Sequence, residues 1–239
     1  MKLVTFDFWN TLFLDRDESL RNQKRLSFAL ERLQKHKPSL NLNDVSEAFE
    51  VASEYFNRQW YELRACTMDR HFQQLSGHLE MKVPEDVAAE IVKYFETILL
   101  EHPPTLVRNA AESVKYAASG WKVGLISDAG YSPGSTLKKL LEQNEIHDAF
   151  QSFSFSNETG YLKPSPECFW RVLKELNIEP QHAVHVGDLE ETDVIGAKRL
   201  GMKAIKYIGS NPSSTRESIA DVVIEDLSEL PQALSALQT

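Results

Sequence analysis

The 239-residue chain has two cysteines, no excess of basic residues and no long apolar run. Cys66 and Cys168 stand alone, without the paired spacing of a zinc site or the Cys-dense framework of a disulfide-stapled secreted domain. No charged-then-apolar leader precedes the first predicted strand, so a reducing cytoplasm is the expected location. A formal net charge of −9 shows no basic patch to neutralise a phosphodiester backbone, which argues against nucleic acid and anionic membranes as partners. No apolar stretch approaches the roughly 20 residues of a membrane span. Internal repeats and low-complexity linkers are missing too. The length suits one α/β domain with a sizeable core plus a smaller accessory unit, and the sequence carries no signal for oligomeric state.

What is present is a recurring pattern. Leu3 to Phe6 is a short run of β-prone residues that ends on Asp7 and then breaks. Val123 to Ser127 ends on Asp128, and Ala183 to Gly187 ends on Asp188. Strands are also predicted over Phe150 to Phe155, Met202 to Tyr207 and Asp221 to Ile224, with helices near 109–120, 134–143, 166–176, through Ala197 and Leu200, and from about 228. Gly209 to Ser218 reads as a Ser-rich surface loop. Such alternation predicts a doubly wound, Rossmann-like parallel sheet covered by helices. In open parallel sheets ligands sit outside the carboxyl ends of the strands, so Asp7, Ser127, Asp128 and Asp188 are expected at one crevice. An Asp after a strand is often merely the N-cap of the next helix. Lys163, in a Gly-x-x-Lys-Pro loop, and Asp193, five residues after Asp188, lie where a phosphate site would need them. Clustered carboxylates repel unless a cation joins them, and oxygen-only ligands suit Mg²⁺.

Residues 15–100 interrupt the alternation with helical patterns alone. The expected helices cover 18–37 with Leu20, Leu26, Leu30 and Leu33 inward, a second from an Asn43 N-cap to Trp60, a third near 68–80, and a fourth from Pro84 to about Leu100. Pro103-Pro104 marks a rigid boundary. The predicted organisation is a core of 1–14 and 101–239 with an all-helical cap of 15–100 inserted after the first strand. The aromatic and basic residues Tyr55, Trp60, Tyr61, Arg64, Arg70 and His71 read mainly as helix packing or surface.

Asp7-x-x-x-Thr11-Leu12, Ser127 at a strand end, Lys163-Pro164 and Gly187-Asp188-x-x-x-x-Asp193, in that order, resemble the four motifs of the haloacid dehalogenase superfamily. The resemblance spans residue 2 to about 209 apart from the helical insertion. It implies that Asp7 is a nucleophile forming a phosphoaspartyl intermediate, and that Mg²⁺ is held by Asp7, Asp188 and the main-chain carbonyl of Trp9. It further implies that Asp193 orients Lys163 or metal-bound water, that Lys163 and Ser127 neutralise the phosphoryl oxygens, and that Thr11 fixes the loop beside Asp7. The expected substrate is a small phosphorylated molecule, with Trp9, Asn10, Ser127, Asp128 and Lys163 in its binding region.

Three residues depart from that pattern. Phosphatases of the superfamily carry a second Asp two residues after the nucleophile, where it protonates the leaving oxygen; Trp9 cannot transfer a proton. Good leaving groups, as in acyl or aryl phosphates, are then favoured. Asn10 replaces a usual Gly, and Asp128 a frequent Asn. Trp9 also fits a metal-independent 2-haloacid dehalogenase, whose halide leaves without a proton, but Asp188 would repel a carboxylate substrate. A catalytically idle ligand-binding protein and a phosphonate hydrolase complete the alternatives, the last lacking a distinguished cap lysine.

Overall fold

The computed structural model describes residues 1–210 and 217–238, so most of the loop expected over Gly209 to Ser218 lies outside the described residues. Its centre is a six-stranded sheet, β1 (Leu3–Phe6), β4 (Lys122–Ser127), β5 (Ser152–Phe155), β6 (Ala183–Gly187), β7 (Lys203–Tyr207) and β8 (Val222–Ile224), in the order β5-β4-β1-β6-β7-β8. All five pairings are parallel. β1 is buried along its whole length because both faces are covered, which is why its residues are uniformly bulky rather than alternating with polar ones.

Side-chain alternation sends Val4 and Phe6 into one apolar cluster with α5 (Ala110–Gly120), α6 (Gly134–Gln143) and α10 (Leu230–Ala236). Leu3 points into the opposite cluster with α8 (Pro166–Leu176) and α9 (Ile195–Arg199). Register then fixes the functional edge: Phe6 is opposite Leu125 on β4 and Val186 on β6. The residues that follow these three adjacent strands therefore leave the sheet side by side.

Between β1 and β4 the chain forms α1 (Glu18–Leu33), α2 (Leu42–Tyr61), α3 (Met68–His78) and α4 (Glu85–Thr97), which enclose an apolar cluster of their own around Phe49, Phe72, Leu75, Ile91 and Phe95. Two strands absent from the sequence reading flank this unit. β2 (Phe13–Leu14) pairs antiparallel with β3 (Thr105–Leu106), tying its entry to its exit. α7 (Ser156–Thr159), a single turn after β5, was not foreseen either.

Several helix details differ from expectation. The N-cap of α2 is Asn41 rather than Asn43: Asn41 accepts from the amides of Asn43 and Asp44, and Asp44 closes a capping box onto the Asn41 amide. α1 ends at Leu33, and its buried stripe is Arg21, Arg25, Ala29 and Leu33, while Leu20 is 40% exposed. The arginines are buried because main-chain carbonyls receive them. Arg21 donates to His102 O at 2.9 Å and pairs with Asp15; Arg25 donates to Phe95 O at 3.1 and 3.2 Å and to Asn22 Oδ1 at 2.7 Å. Pro84 is the N-cap of α4 rather than a residue of its first turn.

The loop after β4 reaches into the helical unit. Tyr131 packs edge-on against Phe56 and His71, with ring centroids 4.9 and 5.1 Å apart, and its hydroxyl donates to Ser53 Oγ at 2.8 Å. The Arg25 guanidinium lies over its ring at 5.1 Å. No described helix is long and apolar enough to cross a membrane.

Candidate active site

Asp7, Ser127, Asp128 and Asp188 emerge at the carboxyl ends of β1, β4 and β6, and the loop before α8 brings Lys163 among them. One carboxylate oxygen each from Asp7, Asp188 and Asp193 lie within 4.8 Å of one another. All three carboxylates and Lys163 are buried. Lys163 Nζ bridges two of them, pairing with Asp7 Oδ1 and donating to Asp193 Oδ1 at 2.6 Å. Thr11 Oγ1 is 3.5 Å from Asp7 Oδ2, the outer limit of a hydrogen bond.

A π-helical turn, Glu190–Val194, turns Asp193 back onto the end of β6. Both Asp193 oxygens are then occupied. Oδ1 faces Lys163 and His185 Nε2 at 3.0 Å, while Oδ2 accepts from the Leu189 amide at 3.0 Å and Thr192 Oγ1 at 3.4 Å. Gly187 is required by this fold-back, because a Cβ there would come within 2.5 Å of Asp193 Cβ. His185, whose Nδ1 lies 2.9 Å from Thr5 Oγ1, buttresses Asp193 from inside the sheet. The sequence reading assigned no function to His185 or Thr5; a histidine in an otherwise apolar strand was the available signal.

Burial and repulsion shape the titration of the cluster. Asp7 is pushed well above the carboxylate range by burial and by the charges of Asp193 and Asp188, against the opposing pull of Lys163. Asp188 rises to about 7 from burial and the charge of Asp193. Burial alone would raise Asp193, but Lys163 and His185 outweigh it and hold it ionised. Lys163 is likewise penalised by burial, yet Asp193, Asp7 and Asp128 keep it charged.

Asp188 Oδ2 is buried without a hydrogen-bond partner among the described residues. An orphaned carboxylate oxygen beside a second carboxylate in an oxygen-only setting fits a hard cation such as Mg²⁺. Asp7 and Asp188 have oxygens to offer, whereas the saturated Asp193 suits the support of Lys163.

The other expected residues sit around this cluster. Ser127 is buried at the end of β4, with its hydroxyl 3.3 Å from the Asp128 carbonyl. Asp128 Oδ1 accepts from the Lys163 amide at 3.1 Å, and burial raises its pKa. Asn10 has φ +57°, the left-handed conformation that explains a preference for Gly there and that Asn tolerates better than most residues. It lines the same cavity as Asp188. Trp9 lines the cavity above Asp7. So do Phe56, Trp60 and Arg64 of the helical unit; for Trp60 and Arg64 this differs from the packing or surface role that their helical pattern predicts. His71 takes no part: it is fully buried in the helical cluster, and burial lowers its pKa to about 3.

A parallel α/β sheet with carboxylates converging from adjacent strand ends on a buried lysine defines a hydrolase-type site of the haloacid dehalogenase kind. The sequence profile of the haloacid dehalogenase-like hydrolase family matches residues 1–201, and the chain belongs to that family. It is 31% identical over 244 residues to the glyceraldehyde 3-phosphate phosphatase of Pyrococcus furiosus, covering 95% of this chain and 92% of that protein. To the protein of the same name from Methanocaldococcus jannaschii it is 26% identical over 236 residues, covering 95% and 97%. Among solved structures, a HAD phosphatase from Thermococcus onnurineus superposes with a TM-score of 0.69 at 22% identity over 98% of both chains. A 2-haloacid dehalogenase from Pseudomonas syringae superposes at 0.74 and 21% over 99% of both. At these identities the structural likeness speaks for the fold alone.

Proposed function

We propose that the protein is a Mg²⁺-dependent phosphohydrolase acting on a small phosphorylated molecule, with Asp7 as the nucleophile. The observation that carries this reading is the buried Asp7–Lys163–Asp193 bridge beside the orphaned Asp188 oxygen. Phosphatase relatives that match nearly the whole chain support it.

In this reading Asp7 attacks the phosphoryl group in line and forms a phosphoaspartyl intermediate, which water then hydrolyses. Lys163, held by Asp193, neutralises a phosphoryl oxygen, and the Ser127 hydroxyl hydrogen-bonds another. Asp7, Asp188 and the Trp9 carbonyl would hold Mg²⁺, whose charge would offset the carboxylates and polarise the phosphoryl oxygens. Residues 15–100 act as a cap over the core of 1–14 and 101–239, and the setting is cytoplasmic.

A second reading, the 2-haloacid dehalogenase, is favoured by Trp9 in place of the general acid. The Asp188 carboxylate opposes it, because it adds negative charge where a carboxylate substrate would bind. A screen of one preparation against phosphate esters, acyl phosphates and haloacids, with and without Mg²⁺ and with Asp7→Asn as control, separates the two. Mg²⁺-dependent release of phosphate, lost in Asp7→Asn, is expected; halide release without metal would overturn the proposal.

A further inference from the structure

The candidate cavity has two unlike halves. Its volume is about 270 Å³, just below the roughly 300–1,000 Å³ typical of small-molecule sites, so it holds one small group beside a phosphoryl. One half is the charged floor of Asp7, Lys163 and Asp188. The other is walled by Trp9 from the loop after β1, Phe56 and Trp60 from α2, and Leu162 and Leu189. The three aromatic rings pair with different neighbours, Trp9 with Phe8, Phe56 with Tyr131 and Trp60 with Tyr61.

Several of the polar groups lining the cavity are committed elsewhere. Ser156 Oγ accepts from the Ala129 amide at 2.9 Å, Asp128 Oδ1 accepts from the Lys163 amide at 3.1 Å, and Thr192 Oγ1 lies 3.4 Å from Asp193 Oδ2. Arg64 is paired with Glu62 at 3.0 Å and lies mostly in solvent. A polyol or sugar in the apolar half would surrender more hydrogen bonds to water than these walls return. A flat ring would surrender none and would stack edge or face against indole.

We propose, building on the phosphohydrolase reading, that this half receives a single aromatic ring and that the substrate is a monocyclic aryl phosphate. The chemistry agrees independently with the walls. An Asp7 oxygen forms a bond to phosphorus as the phosphorus–aryl oxygen bond breaks, and the electron pair leaves as a phenolate stabilised by the ring. No proton is needed in that step, so Trp9 can occupy the place of a general acid and serve as a wall. Water then attacks phosphorus, the bond to Asp7 breaks, and inorganic phosphate leaves with the water proton released to solvent.

The test compares kcat/KM for phenyl phosphate, acetyl phosphate and glyceraldehyde 3-phosphate in the presence of Mg²⁺. Phenyl phosphate should exceed glyceraldehyde 3-phosphate by about 100-fold or more, the lower bound of a missing acid's contribution. Acetyl phosphate carries a better leaving group, acetate being far less basic than phenolate, but no ring, so the ring site is read from how the phenyl-to-acetyl ratio changes between variants. Trp60→Ala should shrink the phenyl-to-acetyl ratio by about tenfold, mainly through KM, and Trp60→Phe should restore most of it. A ratio unmoved by Trp60→Ala refutes the ring site while leaving phosphohydrolysis intact. Failure to hydrolyse any of the three refutes both. Inhibition of acetyl phosphate hydrolysis by phenylphosphonate and methylphosphonate tests the same point on the unmodified protein; equal inhibition constants would overturn the proposal.

Discussion

Lys163 Nζ lies 2.6 Å from Asp193 Oδ1, and the same oxygen receives His185 Nε2 at 3.0 Å from within the sheet. One carboxylate thus fixes the position of the buried ammonium and is itself fixed by a strand. Removing one partner of a buried ion pair leaves the other charge stranded, at a cost of about 3–5 kcal/mol. Asp193→Ala should lose about that much stability in urea unfolding, and Lys163→Met combined with it should lose clearly less than the sum of the two. Additive losses would show that the two residues act separately.

The Asp188 oxygen without a partner leads to a binding prediction. Calorimetric titration with Mg²⁺ should show at least a tenfold weaker Kd in Asp188→Ala than in wild type, about 1.4 kcal/mol. Equal affinity would remove Asp188 from the metal site.

The converging carboxylates were legible because each motif sits at the end of a strong strand pattern, and a parallel sheet collects strand ends whatever the loops do. The partners that hold them were not. Asp193 meets His185 only through a π-helical turn, a geometry with no sequence signature. On α1, Leu33 is buried and Leu26 and Leu30 pack half-buried on the same cluster, as expected. Leu20 is exposed, however, and Arg21 and Arg25 join the inward face because they find their acceptors in His102 and Phe95, far along the chain. Asn41 and Asn43 compete as caps within three residues; Asn41 prevails because its side chain accepts from two amides while Asp44 bonds back to the Asn41 amide. The two-residue ribbon of β2 and β3 is too short for any periodicity. Trp60 and Arg64 could be placed at the cavity only once the direction of α2 over the sheet was known.

His71 supplies a pH prediction. Burial, with the nearby Arg25 charge adding, lowers its folded pKa to about 3 against an ordinary 6.5, so the folded state prefers the neutral ring. The resulting stability is fully present above pH 6.5 and is lost progressively as pH falls toward 3. Between pH 7 and pH 5 this one residue should remove about 2 kcal/mol of unfolding free energy. His71→Phe keeps a ring against Phe49, Phe56 and Tyr131 and should flatten that slope in denaturant titrations at the two pH values. An identical slope in both proteins would locate the acid sensitivity elsewhere.

Trp9 separates a phosphatase specialised for good leaving groups from a different kind of enzyme. Its indole lines the cavity where a proton donor would be needed, and it packs edge-on to Phe8 at 4.9 Å. Trp9→Asp should gain rate on glyceraldehyde 3-phosphate and other alkyl phosphates, whose leaving oxygen needs a proton. The ceiling is the roughly 10² to 10⁴ that general acid catalysis supplies, and a misplaced carboxylate would give less. Phenyl phosphate should gain far less, because its leaving group departs unprotonated, so the alkyl-to-aryl ratio must rise. A half-buried indole contributes packing, and its loss costs up to a few kcal/mol, so thermal melts must first show the variant folded. Under dehalogenase chemistry the same substitution would instead abolish haloacid turnover, since a new anion beside Asp7 repels the substrate carboxylate. A folded, Mg²⁺-binding variant with no gain on alkyl phosphates, beside a wild type that releases halide without metal, would replace the phosphohydrolase reading with the dehalogenase one.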